Sequence, residues 1–172
     1  IDWKKTLKYF CGTKQKSRKS RTFRKINRKY PYIHPGTKVK RTSSLAIYID
    51  QSGSVSEEGI AMFFSALEGL AKTVAFKVFH FDTSVDIGSE YNWKKGQKYR
   101  NPMRTLTGGT CFNCVEDHFR KRNNEFDGYI VMTDGCAPKP KTCISKRCWV
   151  LLPGYKKLNF TKEKRDSIVL MS

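Results

Sequence analysis

The chain has 172 residues, of which 38% are hydrophobic, and a formal net charge of +19. That length fits one domain, the hydrophobic content excludes a fully disordered chain, and no apolar run reaches the roughly 18 residues of a membrane span. The charge is lopsided: residues 1–42 hold 15 Lys or Arg and one acid, Asp2, whereas residues 43–172 hold 19 Lys or Arg and 14 acids. We therefore read residues 1–42 as a basic helix and arm packing on a globular body of residues 43–172.

In the arm, Trp3, Leu7 and Phe10 recur at helical spacing and predict a short amphipathic helix. Residues 11–42 lack periodicity and are punctuated by Pro31 and Pro35-Gly36. They read as an extended segment, with Phe23, Ile26, Tyr30 and Tyr32 as anchors to the body. The charge points to nucleic acid, contacted through residues 14–29, or to an acidic protein surface. A solvated extension is the plain alternative. The polar, basic amino terminus has no signal-peptide core. The chain opens on Ile1, so we expect a piece of a longer, cytoplasmic protein.

The body alternates strands and helices. Leu45–Asp50 predicts a strand. Ser56-Glu57-Glu58 opens a helix to about Ala71, with acids in its first turn and Ile60, Phe63, Phe64, Leu67 and Leu70 as a buried stripe. Thr73–Phe81 is a second strand, and Thr83–Ile87 a short antiparallel edge. Glu90–Leu106, with Trp93, reads as a polar loop. Cys111 to about Arg122 is a helix with Phe112, Val115 and Phe119 inward. Asp127–Thr133, Arg147–Leu152 and Ser167–Met171 complete the strands. This alternation argues for an α/β, mostly parallel sheet covered on both faces.

Three segments carry chemistry. Asp50-Gln51-Ser52-Gly53-Ser54 places an acid at a strand's carboxyl end, with two hydroxyls at alternate positions. Thr107-Gly108-Gly109-Thr110 offers a hydroxyl in a glycine loop. Thr133-Asp134-Gly135 ends another strand on an acid. Each alone is a turn signal. Together, Asp50, Ser52, Ser54, Thr110 and Asp134 give five hard oxygen donors, which suit Mg²⁺ or Mn²⁺. We expect Ser52, Ser54 and Thr110 to ligate directly, and Asp50 and Asp134 to act through water or hydrogen bonds. Gly53 is expected to allow a tight turn. Few direct carboxylates leave the ion electrophilic, with a position free for a partner's carboxylate. Cys111-Phe112-Asn113-Cys114 has half of a zinc spacing, but Cys136, Cys143 and Cys148 supply no second half. The segment holds no His-Glu-x-x-His and no placed general base, so it reads as a binding segment; Asp82 is the one candidate base for a hydrolytic alternative.

The three-part pattern resembles the von Willebrand factor A (VWA) domain with its metal-ion-dependent adhesion site. Within that group the chain resembles the bacterial and phage VWA-like family attached to metallopeptidase-like domains. The likeness runs through Ile1-Asp2-Trp3, Asn27-Arg28-Lys29-Tyr30, Pro35-Gly36, His80-Phe81-Asp82, Gly108-Gly109-Thr110-Cys111-Phe112 and Cys148-Trp149-Val150. It implies a three-layer, Rossmann-type domain, a Mg²⁺-dependent protein-binding function completed by an acidic partner residue, and an amino-terminal metallopeptidase-like domain outside this chain. It also implies work alongside a MoxR-type AAA+ ATPase. Nucleic-acid binding by the basic arm remains the alternative function.

Overall fold

The computed structural model describes residues 3–12, 17–41, 45–98 and 104–171. The body is organised by one six-stranded sheet of order β5-β4-β3-β6-β7-β8. Its strands are β3 (Leu45–Asp50), β4 (Phe76–Phe81), β5 (Val85–Trp93), β6 (Gly128–Thr133), β7 (Arg147–Leu151) and β8 (Asp166–Leu170). All pairings are parallel except the edge pair β4–β5. Helices α1 (Trp3–Gly12) and α2 (Glu57–Ala71) cover one face, and α3 (Phe112–Lys121) covers the other.

The alternation of side chains along each strand builds two cores at once. Leu45, Ile47 and Ile49 of β3 face α1 and α2 with Ile130, Met132, Cys148 and Val150. Ala46 and Tyr48 face α3 with Tyr129, Val131, Trp149 and Leu151. All six residues of β3 are buried, which is why its sequence is a continuous apolar run rather than an alternating one. Helix α2 starts as expected: the Ser56 hydroxyl accepts from the Gly59 amide at 3.1 Å, and Glu57 and Glu58 lie in its first turn. Gly59 packs closely, since a Cβ there would stand 2.8 Å from Leu152 Cδ1 and that side chain would have to shift.

Two expectations need correction. Glu90–Trp93 is not loop but the end of β5, and Trp93 is core: its ring packs against Phe76 and Phe64, and its indole N–H donates to the Gln97 carbonyl at 2.7 Å. The arm is not an aperiodic wrap. It folds into an antiparallel hairpin, β1 (Ser17–Ile26) with β2 (Pro35–Arg41). Hydrophobic alternation could not reveal it, because these strands carry almost no apolar residues. Phe23, Ile26, Tyr30 and Tyr32 do not anchor it to the body; they are exposed by 81, 64, 47 and 88%. Leu7 and Phe10 of α1 are buried in the core as expected, whereas the side chain of Trp3 lies outside the described residues.

At the amino ends of the strands a buried ionic cluster fixes the sheet. Arg147 opens β7 and its guanidinium donates to both Asp166 carboxylate oxygens at 2.8 Å and to Glu116 of α3 at 2.6 Å. The Tyr129 hydroxyl donates to the same Glu116. Arg147 and Asp166 are also partners in the strand register. The pairing of β7 with β8 and the seat of α3 are thus set by one residue. Among the described residues, no helix is long and apolar enough to cross a membrane.

Two measurements test this account. Phe64→Ala should lower unfolding free energy by about 3–5 kcal/mol in urea titration, as expected for a large ring removed from a core; Phe64 is 3% exposed and packs on Trp93. A loss under about 1 kcal/mol would place it outside the core. The second concerns acid. Glu90 of β5 accepts from Arg122 at 2.8 and 3.1 Å and from Lys77 at 2.5 Å. Arg122 first, then Lys77, pull its carboxyl down to about 2. A carboxyl lower in the folded than in the unfolded chain stabilises above its unfolded value and loses that contribution as pH falls toward the folded one. Stability should therefore decline between about pH 4.5 and 2, and Glu90→Gln should flatten that part of the profile.

Candidate metal centre

The parallel pairing of β3 with β6 runs to Ile49↔Met132, so both strands deliver their next residues to the same edge of the sheet. This is where the strand order reverses, since β4 and β5 lie to one side of β3 and β7 and β8 to the other side of β6. Crevices at such reversals, beyond the carboxyl ends of strands, are where α/β sheets bind ligands.

Asp50 ends β3 and is fully buried. Its Oδ1 accepts from the Ser52 amide at 3.0 Å, and its Oδ2 accepts from the Thr133 hydroxyl at 2.6 Å. Thr133 ends β6, so this bond ties the two strand ends together. Asp134 follows: its Oδ1 accepts from the Cys136 amide at 3.0 Å, while its Oδ2 is buried with no hydrogen-bond partner among the described residues. Burial pushes the Asp50 carboxyl above its usual range; bonds from Thr133 and Ser52 oppose that push, and Asp134 adds to it. Two buried carboxyl groups side by side, one with an idle oxygen, are an arrangement a cation would relieve.

The hydroxyls complete the donor set. Ser52 Oγ and Ser54 Oγ are 3.1 Å apart, with Ser52 buried and Ser54 exposed. Adjacent oxygens on an octahedral ion at about 2.1 Å would lie about 3.0 Å apart, so this spacing suits Mg²⁺ without rearrangement. Gly53 does not need glycine's conformational freedom; the left-handed glycine here is Gly135, at φ 80°, which turns the chain directly after Asp134.

The glycine loop is bound to this edge by contacts that the sequence did not reveal. The Gly53 amide donates to the Gly108 carbonyl at 3.1 Å. The Arg104 guanidinium donates to the carbonyls of Ser52, at 3.0 Å, and of Val55. The Thr105 amide donates to Gln51 Oε1 at 3.1 Å. Gly108 is seated on Asp82, where a Cβ would come within 2.7 Å of the carboxylate. Thr110, two residues on, is half-buried at the foot of α3. Asp82 Oδ1 accepts from the Ser84 amide at 3.1 Å, within its own turn. Among the described residues, no group of three or more His, Cys, Asp or Glu is placed to hold a metal. The Cys114 thiol donates to the Cys111 carbonyl at 2.9 Å. Asp50 bonds the Ser52 amide and the Thr133 hydroxyl, Ser52 meets Ser54, and the glycine loop reaches this edge through Gly108.

No family model matches the chain. It is 25% identical over 177 aligned residues to a protein of Thermotoga maritima described as uncharacterized; the alignment takes in 100% of this chain but 43% of that protein, so the chain spans less than half of that relative. Among solved structures it overlaps the ArnB paralog VWA2 of Sulfolobus acidocaldarius at 16% identity and a TM-score of 0.47, over 67% of this chain and 38% of that one. It also overlaps an aerotolerance-related membrane protein of Bacteroides fragilis at 10% identity and a TM-score of 0.47, over 71% and 77%. The fold class rests on the sheet order and layers themselves: a mixed α/β, three-layer architecture with a mostly parallel six-stranded sheet.

If Arg104 is the clamp between the two loops, Arg104→Gln should cost about 1.5–3 kcal/mol, the usual worth of hydrogen bonds from a charged donor. Amide exchange should quicken at Gly53 and leave the β3 amides protected. Unchanged exchange at Gly53 would show that the loops hold together without it.

Proposed function

We propose that this chain is a metal-dependent protein-binding module. In this reading Ser52, Ser54 and Thr110 hold Mg²⁺ or Mn²⁺, and Asp50 and Asp134 support it through water or hydrogen bonds. The observation that carries the proposal is the buried, unpartnered Asp134 Oδ2 beside the Asp50–Thr133 bond and the Ser52–Ser54 pair. The ion would keep much of its charge, because its direct ligands are neutral hydroxyls. A carboxylate from an acidic protein partner would then complete the coordination.

The resemblance to metallopeptidase-linked VWA-like proteins extends the proposal: this is the carboxyl-terminal part of a larger protein that works with a MoxR-type AAA+ ATPase. The Thermotoga relative, of which this chain matches 43%, supports a longer whole. The reading places the protein in the cytoplasm, where thiols stay reduced; among the described residues Cys111, Cys114, Cys136 and Cys143 form no disulfide.

Thermal melting with added Mg²⁺ tests the centre. Ligand that binds only the folded state raises the melting temperature with concentration. Wild-type protein should shift upward in Mg²⁺ or Mn²⁺. Asp50→Asn keeps the shape at a buried position and removes one of two neighbouring charges. It should melt at or above wild type in EDTA and no longer respond to either ion. A wild-type melting curve and titration calorimetry both flat to about 10 mM of both ions would overturn the proposal.

A further inference from the structure

The β1–β2 hairpin carries a feature that the metal centre does not use. Residues 17–41 hold ten Lys or Arg and no acid. Ten cations without an acid in 25 residues suit a polyanion. Acidic protein and nucleic acid both supply anions, and the rings distinguish them. Phe23, Tyr30 and Tyr32 are exposed, interleaved with exposed Arg24, Lys25, Arg28 and Lys29. Carboxylates would satisfy the cations and leave these rings in water. Bases would stack on them.

The bend holds the rings in a defined place. Asn27 Oδ1 accepts from the amides of Lys29 and Tyr30 at 2.9 and 3.1 Å, and its amide nitrogen donates to the Pro35 carbonyl at 3.2 Å. Tyr32 stands at φ 67°, rare for an aromatic residue, yet its side chain is 88% exposed, so no intramolecular packing accounts for its position. Beside the bend lies a cleft of about 550 Å³, lined by Lys25, Ile26, Asn27, Arg28, Gly36 and Thr37. That volume falls in the range of small-ligand pockets, about 300–1,000 Å³. Gly36 keeps the strands close at its edge, since a Cβ there would overlap the Lys25 carbonyl.

We propose that this hairpin binds single-stranded nucleic acid, with Phe23 and Tyr32 stacking on bases and Arg24, Lys25, Arg28 and Lys29 meeting phosphates. Aromatic platforms between cations bind single strands with little sequence preference, whereas in a duplex the base faces are already stacked.

Fluorescence anisotropy of the full chain with labelled oligo(U) and oligo(dT) of about 20 nucleotides tests this, in EDTA so that the metal centre does not contribute, at about 50 and 200 mM salt. Saturable binding that weakens with salt is expected. Arg24→Gln with Lys25→Gln should reduce the salt slope by about 1.4, from about 0.7 per lost phosphate contact. Phe23→Ala with Tyr32→Ala should weaken binding about tenfold or more per ring while leaving the salt slope and the melting temperature unchanged. The proposal is overturned by absence of binding at low salt, by equal affinity of the ring-less variant, by equal affinity for a duplex, or by equally effective competition from polyglutamate. Comparable binding of both oligomers supports stacking without sugar discrimination; preference for oligo(U) narrows the ligand to RNA.

Discussion

The register of β3 against β6 is the constraint on which the site depends. With Ile49 opposite Met132, the next residue of each strand, Asp50 and Thr133, can meet in a 2.6 Å hydrogen bond. A slip by one residue would turn Asp50 to the other face and bury a carboxylate against hydrocarbon. The register is held from both sides, because Leu45, Ile47 and Ile49 are committed to the α2 face and Ala46 and Tyr48 to the α3 face. The hydrophobic pattern thus determines where the polar atoms stand, and the site inherits its precision from the core.

The two ends of the sheet treat buried charge differently. At the amino ends, Arg147 is fully buried and two carboxylates and a tyrosine hydroxyl close the network around it. Removing one partner would leave a buried charge uncompensated, and that cost gives the cluster its hold on β7, β8 and α3. At the carboxyl ends, two carboxyl groups are buried with hydroxyls and amides and, among the described residues, no ion pair; the nearby Arg104 is turned to backbone carbonyls instead. Charge pairing is thus complete at one end of the sheet, while at the other an Asp134 oxygen has no partner among the described residues.

Much of this was legible in the sequence, for identifiable reasons. Strand β3 and helix α2 announced themselves because a covered parallel strand is continuously apolar and a helix repeats its apolar face every three or four residues. The places of Asp50 and Asp134 were legible because an apolar run that stops on an acid marks a strand's carboxyl end. Thr133 was in view as part of Thr-Asp-Gly, but its task, bonding to Asp50 across a strand gap, depends on which strands are neighbours. Arg104 gave no signal: a lone arginine in a basic stretch is indistinguishable from a solvated one until its guanidinium is seen on the Ser52 and Val55 carbonyls. Trp93 misled because Asn92 and Lys94 flank it with polarity, as befits an edge strand with one wet face.

The hairpin was misread for a related reason. Alternation reports burial, and the side chains described in this hairpin are mostly exposed. Its register is therefore not set by a core. It is set by the bend, where Asn27 closes the turn and Gly36 permits close approach to Lys25. Two segments of one chain thus reach defined geometry by different means. The body fixes polar atoms by packing hydrocarbon behind them. The hairpin fixes exposed rings with local hydrogen bonds and one glycine. The first route yields a rigid edge of buried carboxyl groups and hydroxyls. The second yields an exposed surface on which rings and cations alternate.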